Sequence, residues 1–196
     1  MKKVAVQIDG GHLRALARQD NQKYDPDFIE KFSKALTKQG DEELLRVLYY
    51  DCPPFNGDRT RPVSGEKHTF KSSDGWLHEL ATRDLLAIRL GVLKWRGWKP
   101  KRTPVDGNAL TDDDFKPDFE QKGVDLRIGL DLAVFAAEKS VDRIILVTGD
   151  TDLIPAMKLA RRTGLQVVGV EFPGYKLNRE LAAHVDFRRT LSSWPK

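Results

Sequence analysis

Four short apolar runs constrain the fold of this chain more than any other feature. KVAVQI (residues 3–8), LLRVLYY (44–50), RIILVT (143–148) and QVVGV (166–170) are rich in β-branched residues and bounded by polar turns. Runs of this length without strict polar alternation read as strands buried on both faces. Between them, apolar residues recur at helical spacing over 12–18, 26–36, 76–90, 124–139, 151–163 and 176–183. Asp25 followed by Pro26 reads as an N-cap with proline at the first helical position. GVLKWRGW (91–98) reads as a further strand with alternating faces. Strands that alternate with helices predict right-handed βαβ crossovers, hence an α/β fold with a parallel sheet covered by helices on both faces.

Two polar stretches, at about 51–75 and 99–122, interrupt this pattern. The second is punctuated by Pro100, Pro104, Gly107 and Pro117. Both are expected to be long loops, and loops of this length in a compact domain are commonly functional. The chain is expected to form one domain over 1–196. One cysteine, Cys52, excludes an internal disulfide and any paired-cysteine zinc site. Its use fits a reducing, cytoplasmic setting. The first residues, MKKVAVQIDGG, are too short in apolar length and too polar for a signal peptide. No stretch approaches the roughly 20 apolar residues of a membrane span.

Carboxylates collect where the strands end. Asp9 follows the first run directly, and Asp150 and Asp152 follow RIILVT. Asp125 and Asp131 lie early in the helix that feeds RIILVT, and such a helix runs antiparallel to its strand. Ligands of open α/β sheets bind beyond the carboxyl ends of the strands. If the first strand and RIILVT are neighbours, as many as five carboxylates meet at one edge. Helix capping accounts for Asp152 and Asp125 taken singly. A repulsive set at matching strand and helix ends calls for a compensating charge, and a hard divalent cation, Mg²⁺ or Mn²⁺, suits an all-oxygen set. An ion held this way polarises phosphate oxygens and activates water, so phosphodiester hydrolysis is the expected chemistry.

IDGG (8–11), KGVDLRIGLDLAVFA (122–136) and LVTGDTDLIPAMKLARRTGLQVVGV (146–170), with WLHELATRDLLAIRLGVLKWRGW (76–98), resemble the NYN domain family, the LabA-like members of the PIN-like nuclease superfamily. The resemblance implies a PIN-like three-layer α/β/α sandwich with a central, mostly parallel sheet. It implies an acidic Mg²⁺ or Mn²⁺ pocket and cleavage of RNA, single-stranded by preference, by a metal-activated water. Carried over by motif, Asp9, Asp131, Asp150 and Asp152 are the expected catalytic carboxylates, and Asp125 joins them as a metal ligand. Thr148 matches a small hydroxyl residue beside the GDTD pair. His12 stands where many relatives have asparagine, and histidine titrates near neutral pH.

From Leu85 to Val105 there are six basic residues and no acidic one. Lys94, Arg96, Lys99, Lys101 and Arg102, interleaved with Trp95 and Trp98, suit phosphates and stacked bases of single-stranded nucleic acid. Lys67, His68 and Lys71 could extend the same surface. The alternative is that Val92, Leu93 and one tryptophan are core and the lysines are simply solvated. A net charge of +4 agrees with a polyanionic partner without demanding one. Three functions remain open at this point. The first is a metal-dependent endoribonuclease. The second is a non-catalytic RNA-binding or regulatory module on the same fold. The third is a small-molecule phosphatase, disfavoured because the second residue after Asp9 is Gly11 rather than aspartate. The family resemblance leaves a homodimer open.

Overall fold

The computed structural model describes residues 1–104 and 110–195, so Gly107 and Val105 fall outside it. Six strands form one sheet in the order β10-β9-β8-β1-β2-β5. They are β1 (Lys2–Asp9), β2 (Glu42–Asp51), β5 (Leu86–Leu90), β8 (Arg143–Val147), β9 (Gln166–Glu171) and β10 (Phe187–Thr190). Every neighbouring pair is parallel. The sheet is buried on both faces, as its apolar runs require.

The side-chain alternation along β1 divides the core into two layers. Val4, Val6 and Ile8 pack with Leu13 and Ala17 of α1 (Gly10–Gln19) and with Phe28, Ile29 and Phe32 of α2 (Pro26–Ala35). Ala5 faces the other way, with Val124, Ile128 and Leu132 of α4 (Val124–Glu138) and Met157 and Ala160 of α5 (Ile154–Arg162). The result is a three-layer α/β/α sandwich. Asp25 caps α2 by accepting the Phe28 N–H at 2.9 Å, with Pro26 at the first helical position. At the end of the sheet opposite the strands' carboxyl ends, the buried Glu42 accepts from both Arg143 and Arg189, which ties β2 to β8 and β10. Among the described residues no helix is long and apolar enough to cross a membrane.

Three elements depart from the sequence reading. The helix expected over 76–90 stops early: α3 covers Gly75–Ala81, Leu85 adopts a positive φ of 61°, and β5 follows. The segment LLAIRL satisfies either period, and pairing with β2 decides for strand. The two polar stretches are not simple loops. β3 (Gly57–Thr60) and β4 (Lys67–Phe70) form one antiparallel hairpin, and β6 (Val92–Pro100) pairs with β7 (Phe115–Lys122) in another. Finally, the helix expected over 176–183 shrinks to α6 (Arg179–Ala182).

The hairpins share a small aromatic core. Phe55, Phe70, Trp95 and Phe119 have ring centroids within 5.3–6.2 Å of one another. Trp98 packs on Trp95 at 5.3 Å and donates its indole N–H to the Thr60 carbonyl at 2.7 Å, joining the two hairpins. Arg59 lies over the Phe55 ring at 4.7 Å.

Candidate metal centre

β1 and β8 are adjacent, with Ile8 level with Val147. The chain leaves β1 into α1 on one face of the sheet and leaves β8 toward α5 on the other. This divergence is the switch point at which open α/β sheets form a crevice. Asp9 and Asp150 stand on its two sides.

Each of these aspartates also caps a turn. Asp9 Oδ1 accepts the His12 N–H at 3.1 Å at the start of α1. Asp150 Oδ1 accepts the Asp152 N–H at 2.8 Å, opening a single 3-10 turn, Thr151–Leu153, before α5. The sequence reading gave Asp152 a cap or first-turn role and gave Asp9 and Asp150 no capping role. Asp152 does lie exposed in the first turn, while Asp9 and Asp150 are the caps. Capping and metal binding are compatible, because these caps engage Oδ1 and a carboxylate has two oxygens.

The electrostatics distinguish this set from ordinary caps. Burial pushes the Asp9 carboxyl up; the His12 and Gly11 N–H groups pull it down, and the charges of Asp51 and Asp150 push it up again. Asp125, in the first turn of α4, is likewise raised by burial and then by Asp150, Asp9 and Asp152. Among the described residues none of Asp9, Asp125, Asp150 and Asp152 forms a salt bridge. Their charge is therefore unbalanced by the chain itself. As placed, no three His, Cys, Asp or Glu side chains among the described residues are grouped tightly enough to enclose an ion. Mutual repulsion spreads such a set, and Mg²⁺ characteristically keeps several waters and takes only one or two carboxylates directly. The oxygen donors present fit that ion.

Asp131 does not join them. It lies six residues beyond Asp125, about 9 Å along the helix axis at 1.5 Å per residue. Its Oδ2 accepts from the Tyr50 hydroxyl at 2.9 Å and from Arg89 Nε at 3.1 Å. Arg89 thus offsets part of its charge, which sets Asp131 apart from the carboxylates that have no salt bridge among the described residues, and the pair links α4 to β2 and β5.

A residue that the sequence reading left in a loop stands beside the cluster instead. Asp51 ends β2, fully buried, and its carboxylate accepts from Arg14 at 2.6 and 3.0 Å and from the Tyr49 hydroxyl at 3.0 Å. Tyr49 in turn meets Tyr24, hydroxyl to hydroxyl, at 2.7 Å. The signal was available: a charged residue directly after an apolar strand, the rule that singled out Asp9. Gln121 of β7 reaches Asp51 Oδ1 at 3.3 Å, so the hairpins form one wall of the crevice. Gly10 must be glycine here, since a Cβ would lie 2.4 Å from the Tyr49 hydroxyl oxygen and 2.8 Å from the Tyr50 carbonyl.

Thr148 is buried and accepts the Asp150 N–H on its hydroxyl at 3.0 Å, which fixes the aspartate's backbone. The His12 side chain makes no hydrogen bond to these carboxylates among the described residues. Its ring lies on Gly149, where a Cβ would come within 2.7 Å of it, and edge-on to Phe172 at 5.9 Å. Burial lowers its pKa, so the imidazole is neutral at physiological pH.

The basic aromatic stretch is largely spent within the protein. Arg96 pairs with Glu120 at 2.8 Å, and Lys99 pairs with Asp118. Trp95 and Trp98 are half-buried in the hairpin core, so their faces are not open stacking platforms. β7 supplies Glu120 and Asp118, which lie diagonally across the ladder from Arg96 and Lys99. His68 also packs into that core, against Phe70 at 4.6 Å, and Lys67 pairs with Asp58 at 2.7 Å. Lys71, Lys94, Lys101 and Arg102 form no salt bridge among the described residues.

A model of the NYN domain family matches residues 98–190. The match contains the KGVD and GDTD motifs, and the fold adds Asp9 from the adjoining strand. NYN domains are a branch of the PIN-like nuclease superfamily, and the parallel six-stranded sheet flanked by helices is consistent with that fold. A crystal structure of a protein of unknown function from Vibrio parahaemolyticus superposes over 97% of this chain and 93% of its own, with a TM-score of 0.55 and 19% identity. At that identity the likeness concerns the fold alone. No curated protein matches the sequence.

Proposed function

We propose, from the match of residues 98–190 to the NYN domain family, that the protein is a metal-dependent endoribonuclease acting on single-stranded RNA. One observation carries this reading: Asp9, Asp125, Asp150 and Asp152 lie around the switch point, the carboxyls of Asp9 and Asp125 are raised by burial and then by neighbouring carboxylates, and none of the four has a salt-bridge partner among the described residues. A purely structural cluster would have acquired an arginine, as Asp51 and Glu42 have.

Mg²⁺ or Mn²⁺ would be held among these four carboxylates, by one or two directly and by the rest through water, and would polarise a phosphate oxygen and lower the pKa of water. The remaining work belongs to the chain. Thr148 fixes the backbone from which Asp150 projects. Gly10 lets α1 pack closely on Tyr49, and Gly11 keeps the space beside Asp9 and Gln121 free of a side chain. Arg14, held by Asp51, supports α1 beside Asp9. The neutral His12 closes the crevice at Gly149 without adding positive charge beside the metal ligands.

Purified protein should cut unstructured RNA in Mg²⁺ or Mn²⁺ and be silenced by EDTA. Asp150→Asn should lower the rate by about a hundredfold or more, the scale of losing one electrostatic group at a reaction centre. Asp131→Asn should retain most of the rate, because its charge is committed to Arg89. Undiminished cleavage by Asp150→Asn would refute the assignment, and equal loss in both variants would refute the exclusion of Asp131.

A further inference from the structure

A second depression adjoins the carboxylates on the side away from the hairpins. It is a cleft of about 280 Å³ lined by His12, Thr148, Gly149, Phe172, Tyr175 and Asn178, among others. Thr148 and Gly149 directly precede Asp150, so the cleft and the metal centre share a wall. Its volume lies just below the roughly 300–1,000 Å³ of small-ligand sites, which suits a single nucleotide. Its lining is aromatic, with hydroxyl and amide groups at the edge. Tyr175 is half-buried: its backbone is bridged to Phe172 by hydrogen bonds at 3.0 Å, one side of its ring packs on the core, and its hydroxyl donates to Asp20 at 3.4 Å.

The chain continues from this cleft into a shallower depression lined by Ile154, Lys158, Arg179, Glu180 and His184. Asn178 belongs to the first depression and Arg179 to the second, and Ile154, two residues after Asp152, also lines the second. Lys158 and Arg179 are exposed and form no salt bridge among the described residues. They contrast with Arg96 and Lys99, whose charges β7 already neutralises. A phosphate backbone is attracted by cations that have no carboxylate of their own.

We propose that single-stranded RNA crosses the α1–α6 side of the metal centre. The nucleotide next to the scissile phosphate lodges in the cleft between His12 and Tyr175, and the next phosphates run along Lys158 and Arg179. This rests on the nuclease reading for the position of the scissile phosphate, but its test does not require cleavage. The base would stack on Tyr175, and Asn178 offers both a donor and an acceptor to its edge.

Binding of a fluorescently labelled single-stranded RNA, titrated over a range of salt in EDTA, separates the two ideas. Lys158→Ala with Arg179→Ala should weaken binding and make the log–log salt slope shallower by about 1.4, at 0.7 per phosphate contact on a single strand. Tyr175→Ala should weaken binding about tenfold, while Tyr175→Phe retains it. Arg96→Ala with Lys99→Ala should leave the salt slope unchanged. The proposal is overturned if the wild-type protein fails to bind, or if the hairpin pair carries the loss and the Lys158 and Arg179 pair does not. Should Tyr175→Ala prove unstable, the two exposed cations still decide the path. Normal binding without cleavage in Mn²⁺ would sink the nuclease reading and leave this surface standing.

Discussion

Carboxylates in this molecule meet one of two fates. Glu42 and Asp51 are buried and paired with arginine, whereas Asp9, Asp125, Asp150 and Asp152 are left to repel one another. Burial alone would raise the Glu42 carboxyl; Arg189, the Lys38 N–H and Arg143 outweigh it and hold the group at about 2, below its ordinary 4.5. A depressed carboxylate contributes stability above its unfolded pKa and loses that contribution as pH falls toward its folded pKa. Acid unfolding should therefore include a component between about pH 4.5 and 2 from this residue. Glu42→Ala, which strands two arginines, should cost about 3–5 kcal/mol at neutral pH. Chemical denaturation at pH 7 and pH 3 checks both statements: the mutant's deficit should shrink at the lower pH, and a deficit constant with pH would contradict the pairing.

The hairpins show what secondary-structure elements conceal in a sequence. β1, β2, β8 and β9 were legible because a parallel strand buried on both faces must be continuously apolar. β7 (FKPDFEQK) and β10 (FRRT) were not, because one lies in an exposed hairpin and the other at the sheet edge, where polar residues are tolerated. β5 was hidden by a pattern that fits either period. Trp95 and Trp98 were assigned to nucleic acid because their partners Phe55, Phe70 and Phe119 are distant in sequence and lie in what read as loops. With its ring packed on three phenylalanines and one tryptophan, Trp95→Ala should cost about 2 kcal/mol, reduced from a full core truncation by its partial exposure. Hydrogen exchange should show faster exchange confined to 57–70 and 92–122. Loss of protection in β1 or β8 would mean that the hairpins are part of the central core.

At the scale of the whole molecule, strand order makes the site. β1 lies inside the sheet with β2 on one side and β8 on the other, so the chain departs to opposite faces on either side of one crevice. The sequence placed Asp9 and the GDTD aspartates at strand ends, and the adjacency of β1 and β8 was the condition on which their convergence depended. That condition holds. What the sequence could not supply was which carboxylates acquire partners, since Arg89 and Arg14 reach Asp131 and Asp51 only through tertiary packing. The central claim is that the unpartnered four bind a divalent ion and are not merely caps. Calorimetric titration of Mn²⁺ into the metal-free protein tests it most directly. The account predicts saturable binding by the wild-type protein and by Asp131→Asn, with binding weakened at least about tenfold in Asp150→Asn and Asp9→Asn, the scale of an orienting or ligating group lost. Binding that is absent in the wild type, or undiminished in Asp9→Asn and Asp150→Asn alike, would contradict it.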